Sequence, residues 1–562
     1  MAHIDIQNLS FTYPNADEKA LSDICLSIGH GAFVTLMGAT GSGKSTLLRL
    51  LKPELRQNGT LAGKIKYDGM DIENNGTRTV GYVAQNPEEQ IVTDKVWHEL
   101  AFTLENLGAK QRDIARRVAE IAAYFDMDAW LERDTATLSG GEKQLLNLAA
   151  VMTADPELLL LDEPTAQLDP IAASRFLSTV YRLNRETGVT VLICEHRSEE
   201  LFALSDRVVV LDRGRLVYDG TPREVATSAA TTVTTTVTTA ATEKITTSVA
   251  TAVDAPDSPF MGFLPTAARI FHAVNGRGEL PLTIREGQRF VENFDNTVRS
   301  LNDEAVIENR EEALSLKNIC FCYERNGADI LRDLDMTVYR GEVFALLGAN
   351  GAGKSTAAAV AAGLRKPYSG TMKLFKKPLK SYTNGSLYRG NISLMPQDVE
   401  SVFIHETVGE ELKYCEAVID SFPYDLRPLY SRHPYDISGG ERQLVALCKA
   451  LSSKPGVLIM DEPSKGLDAN AKALLRDIIL KLKGDGVTVL LITHDVEFAA
   501  LCADRCALFS QGRIAAVDTT QRFMSGNRFY TTAASRITRC RYDGAYTAER
   551  AAALIRRNGG AL

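Results

Sequence analysis

The feature that most constrains this chain is a glycine-rich loop that occurs twice. Gly38-Ala39-Thr40-Gly41-Ser42-Gly43-Lys44-Ser45 returns 310 residues later as Gly348-Ala349-Asn350-Gly351-Ala352-Gly353-Lys354-Ser355. Both fit the pattern of Gly, four residues, then Gly-Lys-Ser. The apolar run Phe33 to Met37 in front of the first loop reads as a buried strand, and Thr46 to Leu51 behind it reads as a helix. In that setting the glycines let the backbone curl, so that successive N–H groups face a phosphate at the positive end of a helix. Lys44 and Lys354 then reach the terminal phosphates, and the hydroxyls of Ser45 and Ser355 hold Mg²⁺. One such loop can be a chance match. Two are not.

The residues that follow carry chemistry of their own. A strand from Thr79 to Val83 leads to Gln85 and the run Asn86-Pro87-Glu88-Glu89-Gln90. Val96 to Glu132 reads as helix-rich, with Val118, Ile121, Ala122 and Phe125 on one face. Leu138-Ser139-Gly140-Gly141-Glu142-Lys143-Gln144 opens another helix, where Ser139 serves as N-cap and the two glycines bare first-turn N–H groups. The apolar strand Leu158 to Leu161 ends in Asp162-Glu163. Adjacent carboxylates there are costly unless they have work to do. Asp162 suits Mg²⁺, and Glu163 suits polarising a water. Asp169-Pro170 is a helix start, and the strand Thr190 to Cys194 delivers Glu195-His196. A lone histidine after a strand is usually structural; one beside the carboxylate strand contacts a terminal phosphate. Tyr13 and Tyr323 precede the two loops, where a ring either stacks on a base or simply ends a strand.

The whole series repeats in order. Gln397 answers Gln85, and Ile437-Ser438-Gly439-Gly440-Glu441-Arg442-Gln443 answers the second helix start. Asp461-Glu462, Asp468 and Thr493-His494 answer Asp162-Glu163, Asp169 and Glu195-His196. The segment between glutamine and signature serine is 13 residues shorter in the second copy. The copies therefore share a catalytic frame and differ where a partner would dock.

The expected division is a first domain over 1–224, a linker over 225–311, a second domain over 312–520 and a basic extension over 521–562. Within the linker, 226–252 is Ala/Thr-rich and reads as a low-complexity insertion, with a Thr-rich edge strand as the alternative. Leu264-Pro265-Thr266 and Pro281 to Glu286 look like helix starts, and Thr283 with Glu286 has capping-box spacing, so this part is expected to order against the first domain. The arginine-rich tail reads as a solvated face, with a membrane or partner contact as the alternative. The net charge of -8 argues against a general polyanion-binding surface, so no nucleic-acid partner is expected. The nine cysteines form no Cys-x-x-Cys pair and read as reduced thiols, placing the chain in the cytosol. Cys320 with Cys322 and Cys502 with Cys506 are the two spacings that metal ligation would need.

Taken together these motifs resemble the ATP-binding cassette ATPases. The glycine loops look like Walker A, Gln85 and Gln397 like Q-loop glutamines, and the Ser-Gly-Gly starts like signature motifs. Asp162-Glu163 and Asp461-Glu462 look like Walker B with the catalytic glutamate. Leu168-Asp169 and Leu467-Asp468 look like D-loops, and His196 and His494 like switch histidines. The implied fold is α/β: two P-loop NTPase (nucleotide-binding) domains in one chain, each a mixed, largely parallel sheet with an α-helical subdomain.

The resemblance further implies two composite ATP sites in an intramolecular pseudo-dimer. One would use Tyr13, Gly38, Gly41, Ser42, Gly43, Lys44, Ser45, Thr46 and Gln85, closed by Ser438, Gly439 and Gly440. The other would use Tyr323, Gly348, Gly351, Ala352, Gly353, Lys354, Ser355, Thr356 and Gln397, closed by Ser139, Gly140 and Gly141. Mg²⁺ would meet Ser45, Gln85 and Asp162 in one, and Ser355, Gln397 and Asp461 in the other. Glu163, His196, Glu462 and His494 would be catalytic. Glu195 departs from the commoner Thr before the switch histidine. The run Gln85 to Gln90, Glu195-His196-Arg197 and the Leu264-Pro265 and Pro281-to-Glu286 segments are similar to fused energy-coupling factor ATPases. That implies an uptake motor on the cytoplasmic face of the cell membrane, partnered by a transmembrane scaffold and a substrate-binding membrane subunit. A ribosome-acting tandem ATPase is the alternative; it would want a charged, basic helical linker. A DNA-repair or structural cassette protein would want coiled-coil or zinc inserts, which the sequence lacks.

Overall fold

The computed structural model describes residues 4–14, 16, 18–72, 80–229, 260–300, 311–325, 327–383 and 385–559. The sequence expectations for Thr79 and the Ala/Thr-rich residues 230–252 lie outside them. In each copy an apolar five- or six-residue run forms a central strand buried on both faces: Phe33–Met37, Leu158–Asp162 and Thr190–Cys194 in the first, and Val343–Leu347, Val457–Asp461 and Thr488–Thr493 in the second. Strands with no polar face need cover on both sides, which is the habit of parallel sheets.

The first six-stranded sheet runs Arg215–Gly220, Arg207–Asp212, Phe33–Met37, Thr190–Cys194, Leu158–Asp162, Val80–Val83. All neighbours are parallel except the outermost pair, Arg215–Gly220 with Arg207–Asp212. The second copy repeats this order with Arg513–Thr519, Arg505–Ser510, Val343–Leu347, Thr488–Thr493, Val457–Asp461 and Ile392–Met395. Antiparallel strands Ile4–Thr12 and Leu21–Ile28, and Glu312–Phe321 and Leu331–Tyr339, build a second sheet in each copy. The fold class read from the sequence holds: two α/β domains with mixed sheets. Parallel register puts Asp162 beside Cys194 and Asp461 beside Ile492, so the carboxylate and histidine strands are neighbours.

The 13-residue difference has a visible form. The first copy carries the helices Val96–Asn106 and Gln111–Tyr124, whereas the second has only one-turn helices, Val408–Glu411 and Glu416–Ile419. Val118, Ile121, Ala122 and Phe125 are all buried, as their spacing requires.

The linker and tail differ from the sequence expectation. The helix Pro222–Ser228 runs through the boundary placed after residue 224, and Thr520–Gly526 straddles the one placed after 520. Helices Thr266–Ala273 and Ile284–Val291 form, the latter with the expected capping box. They pack both on the first domain, through Leu264, Ala268 and Phe271, and on the tail helices Ala533–Thr538 and Ala548–Arg557. Ile270, Val291, Ile537, Leu554 and Ile555 share one apolar core. Linker and tail are therefore one helical unit.

The tail is not simply a solvated basic face. Arg541 donates to the Glu292 carbonyl at 2.8 Å, Arg556 to the Ala273 carbonyl, and Arg550 to the Gly544 carbonyl at 3.1 Å. Its arginines tie backbone across the unit, a task for which a multi-donor guanidinium is suited. The cysteines are all free; Cys502 and Cys506 are buried core thiols. Among the described residues no helix is long and apolar enough to cross a membrane.

Candidate nucleotide sites

Both glycine loops join a buried strand to a helix, at Lys44–Leu50 and Lys354–Ala361. The first requires glycine for space as well as conformation. Gly38 has φ +146°, and a Cβ on it would lie 2.1 Å from the Leu211 carbonyl oxygen. Lys44 and Lys354 are buried, and each ammonium is held by two carbonyls of its own loop: Gly38 and Ala39 for Lys44, Gly348 and Ala349 for Lys354, all at 2.9–3.0 Å. Lys354 Nζ also stands 3.7 Å from Glu462 Oε1. A buried ammonium held at the start of a helix by its own glycine loop fits a phosphate. Ser42 Oγ is buried and has no hydrogen-bond partner, which fits the same role.

The carboxylate pairs sit where each central strand ends. Ser45 Oγ donates to Asp162 Oδ1 at 2.8 Å, and the Ser355 hydroxyl reaches Asp461. Burial raises both aspartates, Asp461 to about 6. Asp461 Oδ1 is buried without a partner. An all-oxygen set of hydroxyl and carboxylate, with an orphaned buried oxygen, fits a hard divalent cation.

Glu163 and Glu462 adopt left-handed backbone, φ 45° and 52°, a strained choice for glutamate. The turn brings each side chain to its histidine. His196 Nε2 is 3.0 Å from Glu163 Oε1. In the second copy His494 Nδ1 stands 2.9 Å from Glu462 Oε2, and the His494 backbone N–H also donates to that oxygen at 3.2 Å. Burial pushes both glutamates up, but the histidines and the loop lysines outweigh it and hold them below the ordinary value. They are thus carboxylates at neutral pH, the form a water-orienting base needs. Glu195 is buried and accepts from the Thr165 backbone and hydroxyl, so it braces the strand turn.

Gln85 Nε2 donates to Glu163 Oε2 at 3.0 Å, which places it on Glu163 rather than on Ser45 or Asp162. Gln397 is exposed. The Tyr13 and Tyr323 hydroxyls pair with Thr46 and Thr356 at 2.9 and 3.1 Å. Those bonds leave Tyr323 60% exposed in front of its loop. Ala352 packs at the edge of the second core.

The signature serines are N-caps with complete capping boxes, Ser139 with Glu142 and Ser438 with Glu441. Gly140 and Gly439 face open space, and a Cβ on Gly440 would lie 3.6 Å from Leu467 on the adjoining turn. The next residue, Asp468, crosses to the other copy: its Oδ2 accepts from the Thr40 backbone N–H at 2.5 Å. Asn350 reciprocates by donating to the Gln167 carbonyl at 3.4 Å. Each copy's D-loop region therefore touches the other's phosphate loop.

Two features escaped the sequence reading. Tyr82 donates to Asp162 Oδ2 at 3.0 Å. Buried Glu99 and Glu411 also matter, because each accepts two backbone N–H groups just past the Q-loop: Val92 and Thr93 for Glu99, Ile404 and His405 for Glu411. That fixes Val92 and Ile404 as exposed tips, 66% and 80% accessible. The repeat register, which aligns 92 with 404 and 99 with 411, was the signal that could have found them.

Two buried-lysine phosphate loops, each facing a carboxylate–histidine pair and touched by the opposite copy, define a tandem P-loop ATPase. The sequence profile described as "ABC transporter" matches residues 21–166 and 331–465. A Bacillus cereus protein provisionally named ABC transporter ATP-binding protein is 39% identical over 557 residues, 96% of this chain and 95% of that one. The chain belongs to the ABC transporter ATP-binding family and is an ATPase. Among solved structures, the archaeal ribosome recycling factor aABCE1, in complex with ribosomal stalk protein aP1, is similar over 92% of this chain and 91% of its own, with TM-score 0.57 and 20% identity. At that identity the likeness is one of fold. The cbiO1 protein from Clostridium perfringens, part of the ABC transporter complex cbiONQ, is 27% identical over 40% of this chain and 90% of its own, with TM-score 0.37.

Proposed function

We propose that the chain is the ATP-hydrolysing motor of an energy-coupling factor type importer, acting at the cytoplasmic membrane face on separate membrane subunits that carry a vitamin or micronutrient. The observation that carries this is the pair of apolar tips, Val92 and Ile404, each rigidly presented beside a Q-loop glutamine on unlike helical subdomains. Exposed apolar residues fixed in place suit a protein partner. A partner seated on both would feel any movement of Gln85 and, through it, of Glu163. The near full-length likeness to ABC transporter ATP-binding proteins supports the same reading.

In this reading Lys44 and the first loop bind the terminal phosphates of one ATP, with Ser438 to Gly440 closing it; Lys354 and the second loop bind another, closed by Ser139 to Gly141. Ser45 with Asp162, and Ser355 with Asp461, would hold Mg²⁺, which when bound neutralises phosphate charge. Glu163 and Glu462 orient the attacking water, and His196 and His494 hold each glutamate and support the terminal phosphate. Closure of the two copies and their reopening is the work stroke. Affinity purification of the full chain from solubilised membranes tests the proposal. Co-purification of a multi-span scaffold and a small membrane protein is expected; recovery with ribosomes would overturn it.

A further inference from the structure

The two carboxylate sites are not built alike behind their aspartates. In the first copy, Asp162 is gripped from two sides: Ser45 Oγ donates to Oδ1 at 2.8 Å, and Tyr82 Oη donates to Oδ2 at 3.0 Å. The Arg49 guanidinium lies close enough to the Tyr82 hydroxyl and to Asp162 to interact with both electrostatically. Tyr82 reaches Asp162 because parallel register pairs it with Leu160, two residues before the aspartate. In the second copy the same register pairs Leu394 with Ile459, two residues before Asp461. Leu394 has no hydroxyl, and the position answering Arg49, five residues past the loop lysine, is Ala359. Asp461 accordingly keeps a buried oxygen, Oδ1, with no partner.

We infer that Tyr82 is a positioning residue that fixes the Asp162 carboxylate toward a divalent cation in the first site only, making that site the tighter of the two for the metal. Two hydrogen bonds set both the plane and the rotamer of Asp162, so it meets a cation without reorganising. Asp461 has Ser355 beside it but no hydroxyl in the Tyr82 register, so more of its ordering falls to the cation. Partners of this kind behind a metal-facing group are worth 10–100-fold in metal affinity. The inference rests on the reading that Asp162 and Asp461 face the metal.

The test is a Mn²⁺ titration of the full chain, loaded with a non-hydrolysable ATP analogue and followed by electron paramagnetic resonance. Two Mn²⁺ per chain in two affinity classes are expected, and Asp461→Asn should delete the weaker class. Tyr82→Phe, which removes one oxygen atom, should weaken the tighter class roughly 10-fold and leave the other unmoved. Leu394→Tyr, placing a hydroxyl in the matching register, should tighten the weaker class. If Tyr82→Phe moves neither class or both equally while two Mn²⁺ still bind, the inference is wrong. Fewer than two bound Mn²⁺ in the unaltered chain would instead overturn the assignment of the metal sites.

Discussion

The Thr40 backbone N–H donates to the Asp468 carboxylate at 2.5 Å across 428 residues of chain. Asp468 makes this contact while its other oxygen caps the following helix through the Ala471 N–H at 2.8 Å. One carboxylate therefore joins the second copy's signature–D-loop region to the first copy's phosphate loop. His196 and Glu163 lie within electrostatic reach of it. The residues of the first candidate site and the second domain are thus in direct contact through this residue.

Asp468→Asn separates its two tasks. Asparagine is as good an N-cap, so the helix keeps its start. Its amide nitrogen, however, meets the Thr40 N–H donor with another donor. A hydrogen bond to a charged group contributes about 1.5–3 kcal/mol. The expected result is an unchanged thermal midpoint with ATP turnover about 10-fold lower or more, read by phosphate release. Unaltered turnover would show that the cross-copy contact does not matter for closure.

Glu163→Gln and Glu462→Gln keep side-chain shape and remove the base. Each single variant should retain hydrolysis at the other site, and the double variant should fall by at least about 100-fold while still binding ATP. Phosphate release alongside a fluorescent-nucleotide binding assay measures both. If one single variant alone abolishes turnover, the second site is not independently competent.

Much of this was legible because chemistry here sits in short contiguous runs. Gly38 to Ser45 and Asp162-Glu163 carry their backbone requirements with them, and apolar runs such as Leu158 to Leu161 announce central strands. What was not legible depended on distant register. Nothing local to Tyr82 says that a parallel neighbour ends in Asp162, and nothing near Thr40 points to Asp468. The helical unit was missed for a related reason: Arg541 and Arg556 read as surface charge until Glu292 and Ala273 supply the carbonyls. Gln85 was assigned to the metal by resemblance, whereas the fold turns its amide onto Glu163.

Val92→Asp and Ile404→Asp alter the exposed tips and leave their buried anchors, Glu99 and Glu411, in place. Surface changes of this kind shift stability by no more than about 0.5 kcal/mol. The folded chain should keep its thermal midpoint but lose membrane association, with the double variant recovered largely in the soluble fraction after sedimentation. Retention of both variants on membranes would move the docking surface elsewhere.

The buried aspartate of the second copy predicts a pH effect with a definite sign. Burial lifts Asp461 from the ordinary 3.8 to about 6, against the Ser355 hydrogen bond and the Lys354 charge. An acid raised on folding favours the folded chain below its unfolded value and loses that contribution as pH rises through its folded value. Without metal and nucleotide, the Asp461 contribution should therefore disappear between about pH 4 and pH 6, and the full difference is about 3 kcal/mol. Asp461→Asn is neutral at every pH. In urea unfolding with EDTA it should match the unaltered chain near pH 4 and exceed it by about 3 kcal/mol at pH 7.5, while losing a bound Mn²⁺. Function at this position costs stability, as placing a charge in a dry site must. Parallel pH profiles for the two proteins would show that Asp461 titrates as an ordinary carboxylate.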